Sequence, residues 1–253
     1  MILILSGTTE GKTLAAALEK AGRPYLATTV TEYGGKLLLE AAKGNTGRFQ
    51  AGPLARESLQ SLLDQHAITT LVDATHPYAH EITWLAFELA RNRGIPYLRW
   101  QRPGISEKDK KGCLSADDYE QAAAMLAQKS GKWLLTTGSR HLEIFCRTVP
   151  VERMMVRVMP FPQVLEQCLK LGFLPNQIIA QQGPFSQALN RLHLEENGLS
   201  GLVTKDSGET GGTPEKIHAA RELDLPVILI RRPALPPADV AENLQQVLAF
   251  LLP

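Results

Sequence analysis

The chain has 253 residues, 44% of them hydrophobic and 21% charged, with a formal net charge of +1. That length and composition suit one large or two small globular domains with an ample core. A near-zero net charge excludes a global field for nucleic acid or an anionic membrane, and no apolar run is long enough to span a bilayer. The opening Met1-Ile2-Leu3-Ile4-Leu5-Ser6-Gly7 lacks the basic and long apolar regions of a signal peptide. Cys113, Cys146 and Cys168 are odd in number and far apart. They read as free thiols in a reducing, cytoplasmic setting, with no metal site.

Ile2 to Leu5 reads as a buried parallel strand. The turn Ser6-Gly7-Thr8-Thr9-Glu10-Gly11 follows at once, and Leu14, Ala17, Leu18 and Ala21 then mark one face of a helix. Strand, glycine turn, helix is the context in which backbone N–H groups receive a dinucleotide phosphate. Only Gly11 fits the third glycine of that fingerprint; Ser6 and Thr8 hold the first two positions. Tyr25 to Val30 is a second strand, ending without the clear acid or arginine that would separate NAD from NADP. A short helix is expected over Lys36 to Ala42, a strand over Arg48 to Ala51, and a helix from Pro53 with Leu59, Leu62 and Leu63 inward.

Thr69 to Ala74 is a strong strand. It ends in Asp73-Ala74-Thr75-His76-Pro77-Tyr78, where an open parallel sheet binds its ligands. Asp73 could instead cap the next helix, and His76 could simply bond backbone. The polar stretch from Gln101 to Gly112 reads as a domain boundary, giving domains 1–108 and 109–253. Lys132 to Thr137 then starts a second half, ending in Gly138-Ser139-Arg140-His141. Strands are expected over Met154 to Val158 and Gln177 to Ala180. Gly201 to Val203 reads as the end of a strand, and Pro226 to Ile230 as another. Between them runs Lys205-Asp206-Ser207-Gly208 to Gly211-Gly212-Thr213-Pro214, with Thr213 as helix N-cap and Pro214 at the first helical position. Val240, Leu244, Val247, Leu248 and Leu251 read as a final helix. Residues 71–103 and 202–233 share a layout: Pro96 matches Pro226, and Arg102-Pro103 matches Arg232-Pro233. The fold class expected is α/β, two parallel sheets covered on both faces, with a cleft between them.

Taken together, the turns resemble the precorrin-6A reductase family of corrin biosynthesis. The residues that carry the resemblance are Ser6 to Gly11, Asp73-Ala74-Thr75-His76-Pro77-Tyr78-Ala79, Gly94-Ile95-Pro96-Tyr97-Leu98-Arg99, Thr136 to Arg140, Lys205 to Gly208 and Gly211 to Lys216. Ser6 stands where that family often has glycine. The resemblance implies two Rossmann-like domains and transfer of hydride from NADPH or NADH to one double bond of a tetrapyrrole macrocycle. The substrate would be precorrin-6A in one branch, usually with NADPH, or cobalt-precorrin-6A in the other, which can use NADH. Gly7, Thr8, Thr9, Glu10, Gly11 and Thr75 are then expected at the cofactor. Lys205, Ser207, Gly211, Gly212 and Thr213 would hold cofactor or substrate carboxylates. Arg99, Arg102, Arg140, His141, Asp206 and Lys216 are expected at the substrate, although Arg99 could equally be a solvated strand-end charge. His76 or Tyr78 could deliver the proton, as could bound water. Transient hand-over between pathway enzymes fits the same picture. An oxidoreductase of a smaller substrate would keep the first turn without needing the cationic set. A nucleotide sensor would bind cofactor without oxidising it.

Overall fold

A computed structural model of the chain describes residues 1–44 and 46–251. The elements run β1 (Ile2–Leu5), α1 (Thr9–Lys20), β2 (Tyr25–Thr29), α2 (Glu32–Ala42), β3 (Gly47–Ala51), α3 (Arg56–Gln65), β4 (Thr70–Asp73), α4 (His80–Asn92) and β5 (Tyr97–Trp100). They continue α5 (Glu107–Lys110), β6 (Leu114–Ala116), α6 (Tyr119–Ala127), β7 (Trp133–Leu135), α7 (Leu142–Cys146), β8 (Met154–Val158), α8 (Pro162–Lys170) and β9 (Ile178–Ala180). The last are α9 (Gln187–Glu196), β10 (Gly201–Lys205), α10 (Thr213–Glu222), β11 (Val227–Ile230), β12 (Asp239–Ala241) and α11 (Leu244–Leu251).

Among the described residues the strands form two six-stranded sheets, β12-β5-β4-β1-β2-β3 and β6-β11-β10-β7-β8-β9. Every pairing is parallel. Read from β3, the first sheet has the 3-2-1-4-5-6 order of a dinucleotide-binding fold, with β12 in sixth place. Read from β9, the second has the same order, with β6 in sixth place. The sixth strands are therefore exchanged. β6 follows β5 along the chain yet joins the second sheet, while β12, the last strand, joins the first. The units β4-α4-β5 and β10-α10-β11 hold the fourth and fifth places of their sheets, which is the physical content of the similarity between 71–103 and 202–233.

The chain accordingly divides into two compact units. One is Met1–Pro103 with the C-terminal stretch that begins at Ala234; the other is Gly104–Pro233. This corrects the division into 1–108 and 109–253. Ile105 is buried in the second unit, donating its N–H to Asp206 Oδ1 at 3.1 Å. Val240 is not on the final helix but in β12, 46% exposed, with Asp239 opposite Leu98 and Ala241 opposite Trp100. In this three-residue edge strand Asp239 and Val240 are both exposed and only Ala241 is buried, so it carries no apolar run to reveal it.

Strand β1 shows why its four residues are all apolar. Ile2 and Ile4 enter one core with Leu14, Leu18, Val247 and Leu251; Leu3 and Leu5 enter another with Leu59, Leu62, Leu63 and Leu89. Both faces are covered by helices, so neither tolerates a polar side chain. Each such side chain contributes about 1.5–3 kcal/mol by leaving water. In the second unit Leu134, Leu202, Ile217, Ala220 and Leu229 form the comparable core.

Smaller differences follow local chemistry. Helix α2 begins at Glu32, because Thr31 caps it by accepting from Gly34 N–H at 3.1 Å. Helix α3 begins at Arg56, where Ser58 Oγ accepts from Ala55 N–H at 2.8 Å. No described helix is long and apolar enough to cross a membrane.

Candidate functional site

In the first unit, β1 and β4 are neighbours at the point where strand order reverses, with Leu5 opposite Asp73. Their C-terminal turns therefore meet. Ala74 N–H donates to Leu5 O at 2.9 Å, and Thr8 Oγ1 donates to Ala74 O at 2.8 Å. Gly7 has φ +145, which suits glycine. Thr8 is the N-cap of α1 but its side chain does not cap the helix. The first turn of α1 thus lacks a cap from Thr8, and its N–H groups face the end where a helix favours an anion. A Cβ on Gly11 would lie 2.1 Å from Ser6 Oγ and 2.7 Å from Ser6 Cβ. Ser6 Oγ itself is buried without a hydrogen-bond partner.

Glu10, expected at the cofactor, and Arg102, expected at the substrate, are paired with each other at 2.8 Å. Burial works against the Glu10 carboxylate, but hydrogen bonds from Arg102 and Thr8 hold it below the usual range. Together they brace the start of α1 against the end of β5.

Asp73 is fully buried and is the hub of the second turn. Its Oδ1 accepts from Thr75 N–H at 3.0 Å, from Thr75 Oγ1 at 2.7 Å and from Arg99 Nη1 at 2.7 Å. Its Oδ2 accepts from Thr83 Oγ1 at 2.7 Å and from the Tyr97 hydroxyl at 3.0 Å. Burial, followed by the nearby Asp73 charge, pushes the Tyr97 phenol well above its ordinary value. Arg99 is 1% exposed and binds Asp73 and Thr75 inside the unit, so the expectation that it meets substrate is corrected. The half-buried Thr75 hydroxyl donates to Asp73 Oδ1 and accepts from Arg99 Nη1 at 2.9 Å. His76 and Tyr78 are half-buried at the same strand end, their rings 5.7 Å apart. Tyr78 N–H donates to His76 Nδ1 at 3.2 Å, which puts the imidazole proton on Nε2.

In the second unit, β7 and β10 stand at the equivalent reversal point. Thr136 N–H donates to Val203 O at 2.9 Å, and Gly138 takes φ +80. Arg140 follows, exposed, and His141 stacks on Tyr119 with centroids 4.0 Å apart. After β10 the turn is braced from within. Thr213 Oγ1 donates to Lys205 O at 2.9 Å and accepts from Ser207 N–H at 3.1 Å. Thr213 is wholly buried and is the first residue of α10, with Gly212 (φ +65) as the cap. Asp206 Oδ1 accepts from Ile105 and Gly208 N–H groups, and Arg232 lies 3.6 Å from it. Thr213 and Asp206, both expected to touch ligand, thus organise the loop instead.

The lysines differ. Burial, with Arg140 adding, pushes Lys205 down to about 8. Burial, then the charges of Arg157 and Lys205, push Lys216 down to about 7, partly offset by Glu215. Arg157, which the sequence reading left within an apolar strand, is 5% exposed and pushed down to about 10 by burial. The flag was available: a single arginine between Val156 and Val158.

The Lys216 value sets a pH dependence. In the folded chain the group loses its proton near 7, but unfolded it keeps it to its ordinary 10.5. Between those values the unfolded chain binds more protons, so stability rises with pH; below about pH 7 the cost of burying the charge is fully present. The urea midpoint is expected to climb from about pH 6.5 to about pH 9, and less steeply in Lys216→Met. An identical slope in that variant would contradict the assignment.

Among the described residues, no group of three or more His, Cys, Asp or Glu is arranged to hold a metal ion. Cys113, Cys146 and Cys168 are free thiols.

The chain matches the family described as precorrin-6x reductase CbiJ/CobK over residues 1–252. It is 34% identical to a cobalt-precorrin-6A reductase of Priestia megaterium, across 100% of this chain and 98% of that one. It is 33% identical to a precorrin-6A reductase of Rhodococcus erythropolis, across 94% of this chain and 91% of the other. The solved structure of a CobK precorrin-6A reductase superimposes with a TM-score of 0.78 at 26% identity, covering 99% of this chain and 95% of that one. With the family match running over residues 1–252 and relatives aligned across nearly its whole length, the chain belongs to the precorrin-6x reductase CbiJ/CobK family.

Proposed function

We propose that this protein is a cytoplasmic reductase of one macrocycle double bond in precorrin-6A or cobalt-precorrin-6A, using NADPH or NADH. Family membership across residues 1–252 carries the reading. Relatives of both substrate types are about equally similar, so the substrate class is the macrocycle with or without cobalt.

The first-unit turn fits a dinucleotide phosphate. Its glycine at 11 leaves room only because Ser6 sits where a Cβ would project, and the orphaned Ser6 Oγ is a ready donor. Thr9, Glu10 and Gly11 offer backbone N–H groups at the start of α1. The bound reduced nicotinamide supplies the hydride. The chain's own work is to bind and orient the macrocycle and to deliver a proton to the second carbon of the reduced bond. His76, Tyr78 and bound water are the candidate donors; Tyr78 N–H occupies His76 Nδ1, so a neutral His76 giving up its Nε2 proton would have to regain it from water. Lys205, Lys216 and Arg140 supply positive charge for substrate carboxylates.

The test is a set of absorbance assays with metal-free and cobalt substrates, each with NADH and with NADPH. Nicotinamide oxidation coupled to a shortened macrocycle chromophore is expected for at least one pair. Cofactor binding without turnover of any pair would move the protein to the sensor or small-substrate reading.

A further inference from the structure

Arg157 is unusual among the arginines of this chain. It projects from β8 with 5% exposure, yet among the described residues no carboxylate lies within ion-pair distance. Its Nη1 donates to Asn190 Oδ1 at 2.8 Å and lies 3.3 Å from His193 Nδ1. Its Cζ sits 4.1 Å from the centre of the Phe185 ring. Nη2 is buried and has no hydrogen-bond partner. Arg99, a buried arginine of the first unit, is by contrast neutralised by Asp73 at 2.7 Å.

A buried guanidinium without counter-charge is costly. Here a second cation stands close by. Phe185 N lies 4.0 Å from where a Cβ on Gly212 would sit, and Lys216 Nζ donates to Gly211 O at 3.2 Å. Like Arg157, Lys216 forms no ion pair among the described residues. Arg157 and Lys205 raise the cost of charging Lys216, and Glu215 offsets it in part. Like charges placed together at a strand C-terminal end, beside a helix start, are a setting that an anion between them would stabilise. Nothing in catalysis by His76 or in phosphate binding at residues 7–11 uses Arg157.

We propose that Arg157 Nη2 and Lys216 Nζ together form an oxyanion-binding position at the strand ends of the second unit, with Phe185 and Asn190 holding the guanidinium in place. The shared chemistry is that of a carboxylate or phosphate oxygen. On the reductase reading, on which this assignment of the ligand rests, it is a macrocycle carboxylate, because the residue 7–11 turn already takes the dinucleotide phosphates.

The experiment compares wild type with Arg157→Gln and Lys216→Met, titrating each at neutral pH with uroporphyrin, a polycarboxylate porphyrin, and separately with NADP⁺. Uroporphyrin affinity is expected to fall about 10- to 100-fold in both variants, as loss of one charge-assisted hydrogen bond implies, with NADP⁺ affinity unchanged. A fall for NADP⁺ alone would keep the oxyanion position and assign it to the cofactor. Wild-type-like affinity for both probes in either folded variant, or no binding of either probe to wild type, would overturn the proposal. Lys216 is half-buried without an ion pair, so its variant keeps the test decisive if Arg157→Gln does not fold. Reductase turnover by wild type, with variants that bind both probes normally, removes the oxyanion position and leaves the reductase. Probe binding that the variants lose, with no wild-type turnover, does the reverse.

Discussion

Gly11→Ala is expected to raise the Michaelis constant for the nicotinamide cofactor about 10- to 100-fold, since displacements near 1 Å at a binding turn cost that much. The new methyl would meet Ser6 Oγ at 2.1 Å, Ser6 Cβ at 2.7 Å and Ser6 Cα at 3.1 Å. Ser6 cannot rotate out of the way of its own Cβ, so the turn or the start of α1 must shift. Both carry the N–H groups proposed for the phosphates. The double variant Ser6→Gly/Gly11→Ala removes the two closest atoms and should recover the part of the loss that the clash causes, but not the part owed to the Ser6 hydroxyl, which Ser6→Gly alone measures. Steady-state kinetics with varied cofactor, together with direct cofactor titration, checks this. Equal defects in the single and double variants would mean that the clash is not the cause.

Asp73→Ala should be the most damaging single change to stability, costing about 3–5 kcal/mol. It leaves Arg99 buried without counter-charge and strips the acceptor from Thr75, Thr83 and Tyr97. Arg99→Met should cost less, because Asp73 keeps the Thr75 N–H and three hydroxyl donors, and a carboxyl group can also take up a proton. Denaturant unfolding of both variants checks the order. If Arg99→Met proves the worse, the carboxylate is not the centre of this network.

The parallel strands and the positions of the turns were legible because their signals are local. Four consecutive apolar residues in β1 or β11 mean a strand covered on both faces, and glycine between strand and helix marks a close backbone approach. Strands β6 and β12 were not legible: each is three residues at a sheet edge, and neither has an apolar run. The direction of strand-end side chains was not legible either. Asp73, Arg99, Asp206 and Thr213 have the chemistry of ligand-binding groups, but internal partners claim them, some distant in sequence, such as Ile105 for Asp206 and Arg99 for Asp73. Arg157 was overlooked for the converse reason: the apolar pattern of Met154–Val158 absorbed it, although burial of a lone cation is informative in itself.

The exchange of sixth strands has a consequence for how the chain can be cut. The second unit, Gly104–Pro233, is one uninterrupted segment that owns all six of its strands. The first is assembled from both ends of the chain. A circular permutant that starts at Gly104 and joins the old termini would make each unit contiguous, one after the other. In the natural order, a nick after Pro103 leaves the second unit still joined, through residues 233 and 234, to the C-terminal stretch of the first. The chain is thus written in an order that prevents the N-terminal sheet from being completed until the last strand has been synthesised.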